Sequence, residues 1–190
     1  MDVQRFTSKS GMLARIAEQK GVLSEFEEYF QLLHEGVPAI SLLVRIFHEK
    51  RMRVIFTRYK PTTVDGSDLS DQMKARGHIF GSLSEETEFV PELKPSLSDI
   101  VVNKTCDNPF NCTSIGTLLP QLHVKYLVVC GVTCPGSVNV FALDAADRGY
   151  GVVIASDAVA GAIRGGASDL SGGLIRIRST QAIVELIEEI

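Results

Sequence analysis

The sequence predicts an α/β fold of three layers, α/β/α, with a mostly parallel sheet in the middle. Three observations carry this expectation. Strand-like and helix-like stretches alternate along the chain, the order that builds a parallel sheet covered on both faces. The strand candidates at 126–132 (YLVVCGV) and 151–156 (GVVIAS) are continuous apolar runs, as strands buried on both faces are. Within 126–149 the apolar run stops at a small-residue turn and a helical pattern starts at Ser137. Such a strand–turn–helix unit aims the helix's free N–H groups at whatever lies above the turn.

The elements follow in order. The chain opens abruptly with MDVQRF. Leu23, Phe26, Phe30 and Leu33 recur at helical spacing and predict a helix over Val22–His34. A second helix is expected over Val37–Lys50, with Ile40, Leu43, Val44 and Phe47 on one face and Pro38 in its first turn. Met52–Arg58 reads as a buried strand. Residues 60–98 are polar and dotted with Gly and Pro, a long excursion typical of a loop that carries function. Ile100–Val102 is a short strand leading into Lys104, and Thr113–Leu122 is helical. In the helix Ser137–Arg148, Val138, Phe141, Ala142 and Ala145 form the buried stripe, and Gly149 ends it as a C-cap would. A Gly-rich flexible loop is expected over 161–173. Leu174–Arg178 alternates like an edge strand, and Gln181–Ile190 is an amphipathic helix.

Bulk properties narrow the function. At 190 residues, 45% hydrophobic and 22% charged, the chain is expected to be one soluble domain spanning 1–190. A net charge of −4, with no Lys/Arg cluster, argues against nucleic acid as a partner. No apolar run reaches the roughly 18 residues that span a bilayer, so no membrane partner is expected. Cys106, Cys112, Cys130 and Cys134 include no CxxC pair. They suggest a reducing compartment, the cytosol, with Cys130 a small core residue. The Asn-x-Ser/Thr matches at Asn103 and Asn111 then carry no weight.

Ligands of such a sheet bind at the carboxyl ends of its strands. Asp2, Lys104 and Ser137 fall there: a carboxylate, an ammonium and a hydroxyl at a helix start, the parts of a base–nucleophile pair with a charge partner. The plain alternative is a solvated Asp and Lys with a serine N-cap. Arg58, at the end of its strand, faces the same region and suits a substrate carboxylate held bidentately, or else a surface ion pair. Asn139, one turn into the nucleophile helix, touches substrate or faces solvent. Asp157 reads as a helix N-cap. Cys134 lies in the turn ahead of Ser137 and reads as turn packing.

The wording of the chain resembles the isochorismatase-like hydrolases, the cysteine hydrolase superfamily, from residue 1 to about 187. The matching pieces are DVQRF (2–6), VIFTR (54–58), VPELKPSLSDIVVNKTCDNPFNCTSIGTLL (90–119), LVVCGVTCPGSVNVFALDAADRGYGVVIASDAVA (127–160) and the RIRSTQAIVELI ending. The resemblance implies a Rossmann-like topology, Asp2 as acid/base, Lys104 as the family lysine and Ser137 at the place of the nucleophilic cysteine. It implies a non-proline cis peptide at Val132–Thr133, which in relatives helps form an oxyanion hole with the N–H of the nucleophile residue. Phe110 and Thr113 follow the family's F-x-x-T spacing, and Phe6 and Phe110 are implied to contact substrate.

Two departures stand out. Ser137 is not a cysteine, and a carboxylate is a poor base for a hydroxyl, for which serine hydrolases recruit histidine. None of the four histidines falls in a matching segment. The sequence also starts at the aspartate, where relatives have apolar residues that form the first strand. Either the start lies upstream or something else fills that slot. The nicotinamidase relatives hold a metal with Asp and His after the second strand. TRYKPTTVDGSD has no histidine, so neither a metal nor another cofactor is expected.

The implied function is hydrolysis of a small polar metabolite. The TCPGSVN wording is nearest the N-carbamoylsarcosine amidase-like members and suggests an amide or ureido C–N bond. The alternatives are vinyl-ether hydrolysis by acid catalysis from Asp2, or a catalytically inactive binding or assembly relative. Relatives commonly form dimers or tetramers, so a homo-oligomer is expected.

Overall fold

The β-branched runs of the sequence become parallel strands. In the computed structural model, which describes residues 1–134, 136–161, 173 and 175–189, a short helix α1 (Met12–Gln19) is followed by the long α2 (Glu27–Glu49) and the strand β1 (Ile55–Tyr59). Next come α3 (Asp71–Ala75), β2 (Ile100–Lys104), α4 (Pro109–Cys112) and α5 (Ile115–Gln121). The chain continues through β3 (Tyr126–Val132), α6 (Ser137–Asp147), β4 (Gly151–Ala160), β5 (Ile175–Arg178) and α7 (Thr180–Glu188). Strand β1 pairs in parallel with β2, from Ile55↔Ile100 to Tyr59↔Lys104. Strand β4 pairs in parallel with β3 on one side and β5 on the other.

The chain start joins these two sheets. The Met1 ammonium donates to the Cys130 carbonyl at 2.6 Å, and Val132 N–H donates to the Met1 carbonyl at 3.0 Å, the slanted pattern of a parallel pair. On the other side Asp2 N–H donates to the Thr57 carbonyl at 2.9 Å. Residues 1–3 therefore lie between β1 and β3. Gly131 permits this approach: its φ is +120° and a Cβ there would sit 2.0 Å from the Met1 carbonyl oxygen. Beside Met1 a cavity of about 530 Å³ opens, lined by Phe47, Ile55, Leu119, Val128 and Phe141 among others.

Apolar faces close the layers. On one side α2 and α7 (Leu33, Ile40, Leu43, Ile46, Ile183, Val184) cover Phe56, Val132, Ala155 and Ala158. On the other, α5 and α6 (Ile115, Leu119, Val138, Phe141, Ala145) cover Val129, Val152 and Ile154. The expected three-layer α/β/α arrangement is what forms.

Several boundaries differ from expectation. The two helices expected over 22–50 are one, α2, with Pro38 inside it. An interior proline costs about 3 kcal/mol, but the buried stripe Phe30, Leu33, Ile40, Leu43, Ile46 is continuous across it, and packing wins. Gly36, two residues earlier, lets the helix approach β4, since a Cβ there would stand 3.5 Å from the Asp157 carbonyl. Merged, the helical stretch Leu23–Glu49 has the length and apolar content to cross a membrane, against the expectation that no stretch does, yet it packs on β4 and α7. Helix α1 was not anticipated. Thr113 is extended and splits the expected 113–122 helix into α4 and α5. Strand β1 starts at Ile55 rather than Met52, and β4 runs on to Ala160. The 60–98 excursion carries α3, and its Leu69, Met73 and Phe80 pack on Phe6 and Tyr59. The Gly-rich loop expected over 161–173 falls on residues 162–172, outside the described ones.

Candidate active site

The sheet's carboxyl ends gather the site. Asp2 sits just beyond Met1 with a left-handed φ of 57°, a conformation uncommon for a non-glycine residue, and is 1% exposed. Its Oδ1 accepts from Thr57 Oγ1 at 2.7 Å, and its Oδ2 lies 2.8 Å from Lys104 Nζ. Lys104 ends β2, next to Tyr59 in the parallel register, and is fully buried. Its Nζ also donates to the carbonyls of Cys106 (3.0 Å) and Asp107 (3.1 Å) and to Ser137 Oγ (3.1 Å). Nζ stands 3.5 Å from the centroid of the Tyr59 ring, a cation–π contact. Surrounded by oxygens and a π face, Lys104 can act only as a donor. A buried pair of this kind is costly to break, about 3–5 kcal/mol when one partner is removed.

Ser137 is the first residue of α6, where backbone N–H groups have no acceptor within the helix. The turn into it depends on Gly136, whose φ is +151° and where a Cβ would stand 2.2 Å from Thr133 Oγ1. The peptide Val132–Thr133 is cis, as the resemblance implied. Among the described residues Ser137 Oγ is also hydrogen-bonded to Tyr59 Oη, at 3.1 Å. The phenol in turn makes a short hydrogen bond to Asp107 Oδ1. Arg76 braces that carboxylate from outside, with its Nη2 3.2 Å from Oδ2 and Nη1 3.3 Å from Oδ1.

Gln4 fixes this arrangement from below. Its amide is fully buried, donates to the carbonyls of Tyr59 (2.9 Å) and Thr87 (2.8 Å), and accepts from Tyr59 N–H at 2.7 Å. The DxQ opening thus supplies the carboxylate for Lys104 and the clamp that holds Tyr59. A cavity of about 60 Å³ opens over Asp2, Thr133 and Ser137, walled by Phe6, Tyr29, Met73, Arg76 and His78. Burial, with the nearby Asp2 and Asp107 charges, pushes the Tyr59 phenol far above its ordinary value, so phenolate is disfavoured. Burial and then the Arg76 charge hold the His78 imidazole below its usual range, so it is neutral near pH 7.

Of the residues expected from sequence, Asp2, Lys104, Ser137, Val132, Thr133 and Phe6 converge here. Arg58, Phe110 and Asn139 do not line this cavity. Arg58 pairs with Asn103 (2.8 Å) and Glu88 (3.2 Å) over the Phe89 ring, the ion-pair alternative. Phe110 stacks on Phe141 at 5.2 Å beneath Arg148, so its area is spent on packing α4 against α6. Asn139 turns back to accept from Gly136 N–H, capping its own helix. Thr113 likewise bonds locally, to the Pro109 carbonyl at 2.7 Å. Asp157 does cap a helix, but across the fold: from β4 it accepts from Thr180 N–H (2.7 Å) and Oγ1 (2.8 Å) at the start of α7. Cys134 stays in the turn, its N–H bonded to the Ala160 carbonyl at 3.2 Å and its thiol pushed up by burial.

Sequence reasoning missed Tyr59, Arg76, His78 and Asp107. Tyr59 was open to discovery, since it ends the strand paired with the one that carries Lys104. Arg76 and His78 arrive on the 60–98 excursion, where no periodicity announced them.

The parallel α/β domain thus sets a buried carboxylate–ammonium pair beside a hydroxyl at a helix start, at the carboxyl end of its sheet. The isochorismatase domain family matches residues 18–171, and the chain belongs to this family of isochorismatase-like hydrolases. Its fold is similar to a cysteine hydrolase from Pseudomonas syringae (21% identity, 99% of this chain and 90% of that one, TM-score 0.76). It is also similar to an isochorismatase family protein from Desulfovibrio vulgaris (23% identity, 83% and 87%, TM-score 0.71). A third similar structure is N-carbamoylsarcosine amidase from Thermoplasma acidophilum (19% identity, 79% and 85%, TM-score 0.69). No curated protein matches the chain.

Proposed function

We propose that this protein hydrolyses a C–N bond, amide or ureido, in a small polar metabolite, with Ser137 as the nucleophile. The observation that carries the reading is the placement of Ser137 Oγ, buried at a helix start and 3.1 Å from the Lys104 ammonium. The ammonium and the helix terminus both favour negative charge that develops on that oxygen during attack. Asp2 balances Lys104 and holds it in place. The N–H groups of Thr133 and Ser137 are the donors assigned to the carbonyl oxygen as it becomes an oxyanion. His78 and Arg76 on the cavity wall suit a polar or anionic substituent. The cysteines are free thiols, in keeping with a reducing compartment such as the cytosol.

Acid catalysis of a vinyl ether needs a proton on Asp2. Asp2 Oδ1 accepts from Thr57 Oγ1, while its buried Oδ2, 2.8 Å from Lys104 Nζ, makes no hydrogen bond among the described residues, so the vinyl-ether reading is kept as an outcome of the test. The test is turnover of a panel of primary amides, N-carbamoyl amino acids and isochorismate by the wild type, Ser137→Ala and Ser137→Cys. The reading expects turnover of an amide or ureido compound, lost in Ser137→Ala and kept or raised in Ser137→Cys. Turnover of isochorismate alone, or turnover that survives Ser137→Ala, refutes it. Binding of a panel member without turnover by any form marks the protein as a binding relative.

A further inference from the structure

Tyr59 and Asp107 stand outside the Asp2–Lys104–Ser137 trio, yet Tyr59 touches the reacting oxygen itself. Building on Ser137 as the nucleophile, we propose that its proton leaves through Tyr59 to Asp107, a two-bond relay that replaces direct transfer to Asp2.

The hydrogen-bond directions are set by elimination. Lys104 has only donors, so it donates to Ser137 Oγ. Tyr59 has a single proton, and the ionised Asp107, paired with Arg76, can only accept it. Ser137 must then donate to Tyr59 Oη across 3.1 Å. The protons of Ser137 and Tyr59 thus point the same way, toward Asp107. Among the described residues Ser137 Oγ is hydrogen-bonded to Tyr59 and Lys104 and not to Asp2, whose Oδ1 accepts from Thr57 and whose Oδ2 lies beside the Lys104 ammonium without a hydrogen bond.

The relay is also built rigidly. Gln4 bonds both the N–H and the carbonyl of Tyr59, and Phe6 meets the ring edge-on at 5.8 Å. Asp107 is 13% exposed at its side chain, so the relay ends where a proton can exchange with solvent. Burial disfavours phenolate, and a carboxylate is a weak base for a free hydroxyl. In this proposal the two protons therefore move together with C–O bond formation, which acidifies the Ser137 hydroxyl, and neither an alkoxide nor a phenolate forms.

The step balances as follows. As Ser137 Oγ bonds the carbonyl carbon, its proton passes to Tyr59 Oη and the Tyr59 proton passes to Asp107 Oδ1. The carbonyl π electrons move to its oxygen. On collapse the C–N bond breaks, and the leaving nitrogen takes a proton from Tyr59, which is refilled from Asp107. Water then attacks the acyl-serine, giving its proton to the same relay, and the second collapse returns a proton to Ser137 Oγ. The net reaction is amide plus water to acid plus amine.

The test uses p-nitrophenyl acetate, whose leaving group needs no proton and so isolates acylation. The burst rate is measured for the wild type, Ser137→Ala, Tyr59→Phe and Asp107→Asn, each checked for an unchanged melting temperature. The proton inventory in mixed H₂O/D₂O is recorded for the wild type. The proposal expects a wild-type burst absent in Ser137→Ala, about 100-fold slower in Tyr59→Phe and Asp107→Asn, and a curved inventory from two protons in flight. A Tyr59→Phe burst within twofold of wild type, or a linear inventory, overturns the relay and leaves the nucleophile standing. No burst in the wild type, or an equal one in Ser137→Ala, removes the nucleophile and the relay together.

Discussion

At the residue scale, the site is a chain of polar side chains, each touching the next. Asp2 has Thr57 and Lys104; Ser137 has Lys104 and Tyr59; Tyr59 has Ser137 and Asp107. Part of this could be read from the sequence: Lys104 closes an apolar strand run and Ser137 follows one across a short turn, whereas Asp2 was marked by the DVQRF wording alone. What escaped was the identity of their neighbours. Tyr59 and Asp107 are 48 positions apart and meet only because β1 and β2 pair with Tyr59 beside Lys104. His78 escaped because it lies on the 60–98 excursion, which carries no periodicity to place it. Its shift gives a pH signature. Its imidazole is held below its ordinary pKa of about 6.5, so below that pH the unfolded chain binds a proton that the folded one refuses. This contribution to stability is present above about pH 6.5 and is lost as pH falls toward the folded value. Urea midpoints measured from pH 7.5 to pH 5 are expected to fall less steeply for His78→Gln than for the wild type. Equal slopes would remove His78 as a buried neutral group.

At the element scale, local signals succeeded where covalent neighbours decide and failed where packing does. Strand β3 and helix α6 matched expectation because one short turn, with Gly136 in a conformation that demands glycine, connects an apolar run to an apolar stripe. Helix α2 did not, since Pro38 is a local stop signal that a long buried stripe overrides. Replacing Pro38 with Ala restores an N–H to the helix ladder and removes the ring's clash with the preceding turn. Pro38→Ala is therefore expected to stabilise the protein by about 1–3 kcal/mol, read as a higher urea midpoint with unchanged slope. A lower midpoint would mean that β4 requires a bend at this point in α2. Arg58, Phe110 and Asn139 illustrate the same limit. Each lies near the site in sequence terms, and each side chain is engaged with another residue: Arg58 with Glu88, Phe110 with Phe141 and Asn139 with Gly136.

At the scale of the whole molecule, the site exists because four separate segments reach one point at the carboxyl end of the sheet. The chain start brings Asp2 and Gln4, β1 brings Thr57 and Tyr59, β2 brings Lys104, and the β3–α6 turn brings Ser137. Among the described residues the sheet is joined there through residues 1–3, which bond to β1 and β3 at once. The order and parallel sense of the strands could be anticipated from alternation and apolar runs. Three residues carry no periodicity, so the slot next to the first strand was marked only by the resemblance, and it is Met1 and Asp2 that bond to both neighbours there. The central claim, that this convergence makes Ser137 a nucleophile, is tested most directly by locating the acyl group. The protein is mixed with p-nitrophenyl acetate, quenched in acid within the burst and digested, and its peptides are mapped by mass spectrometry. The account predicts an acetyl group on Ser137; acetylation found only elsewhere, at surface lysines or at Cys134, would contradict it.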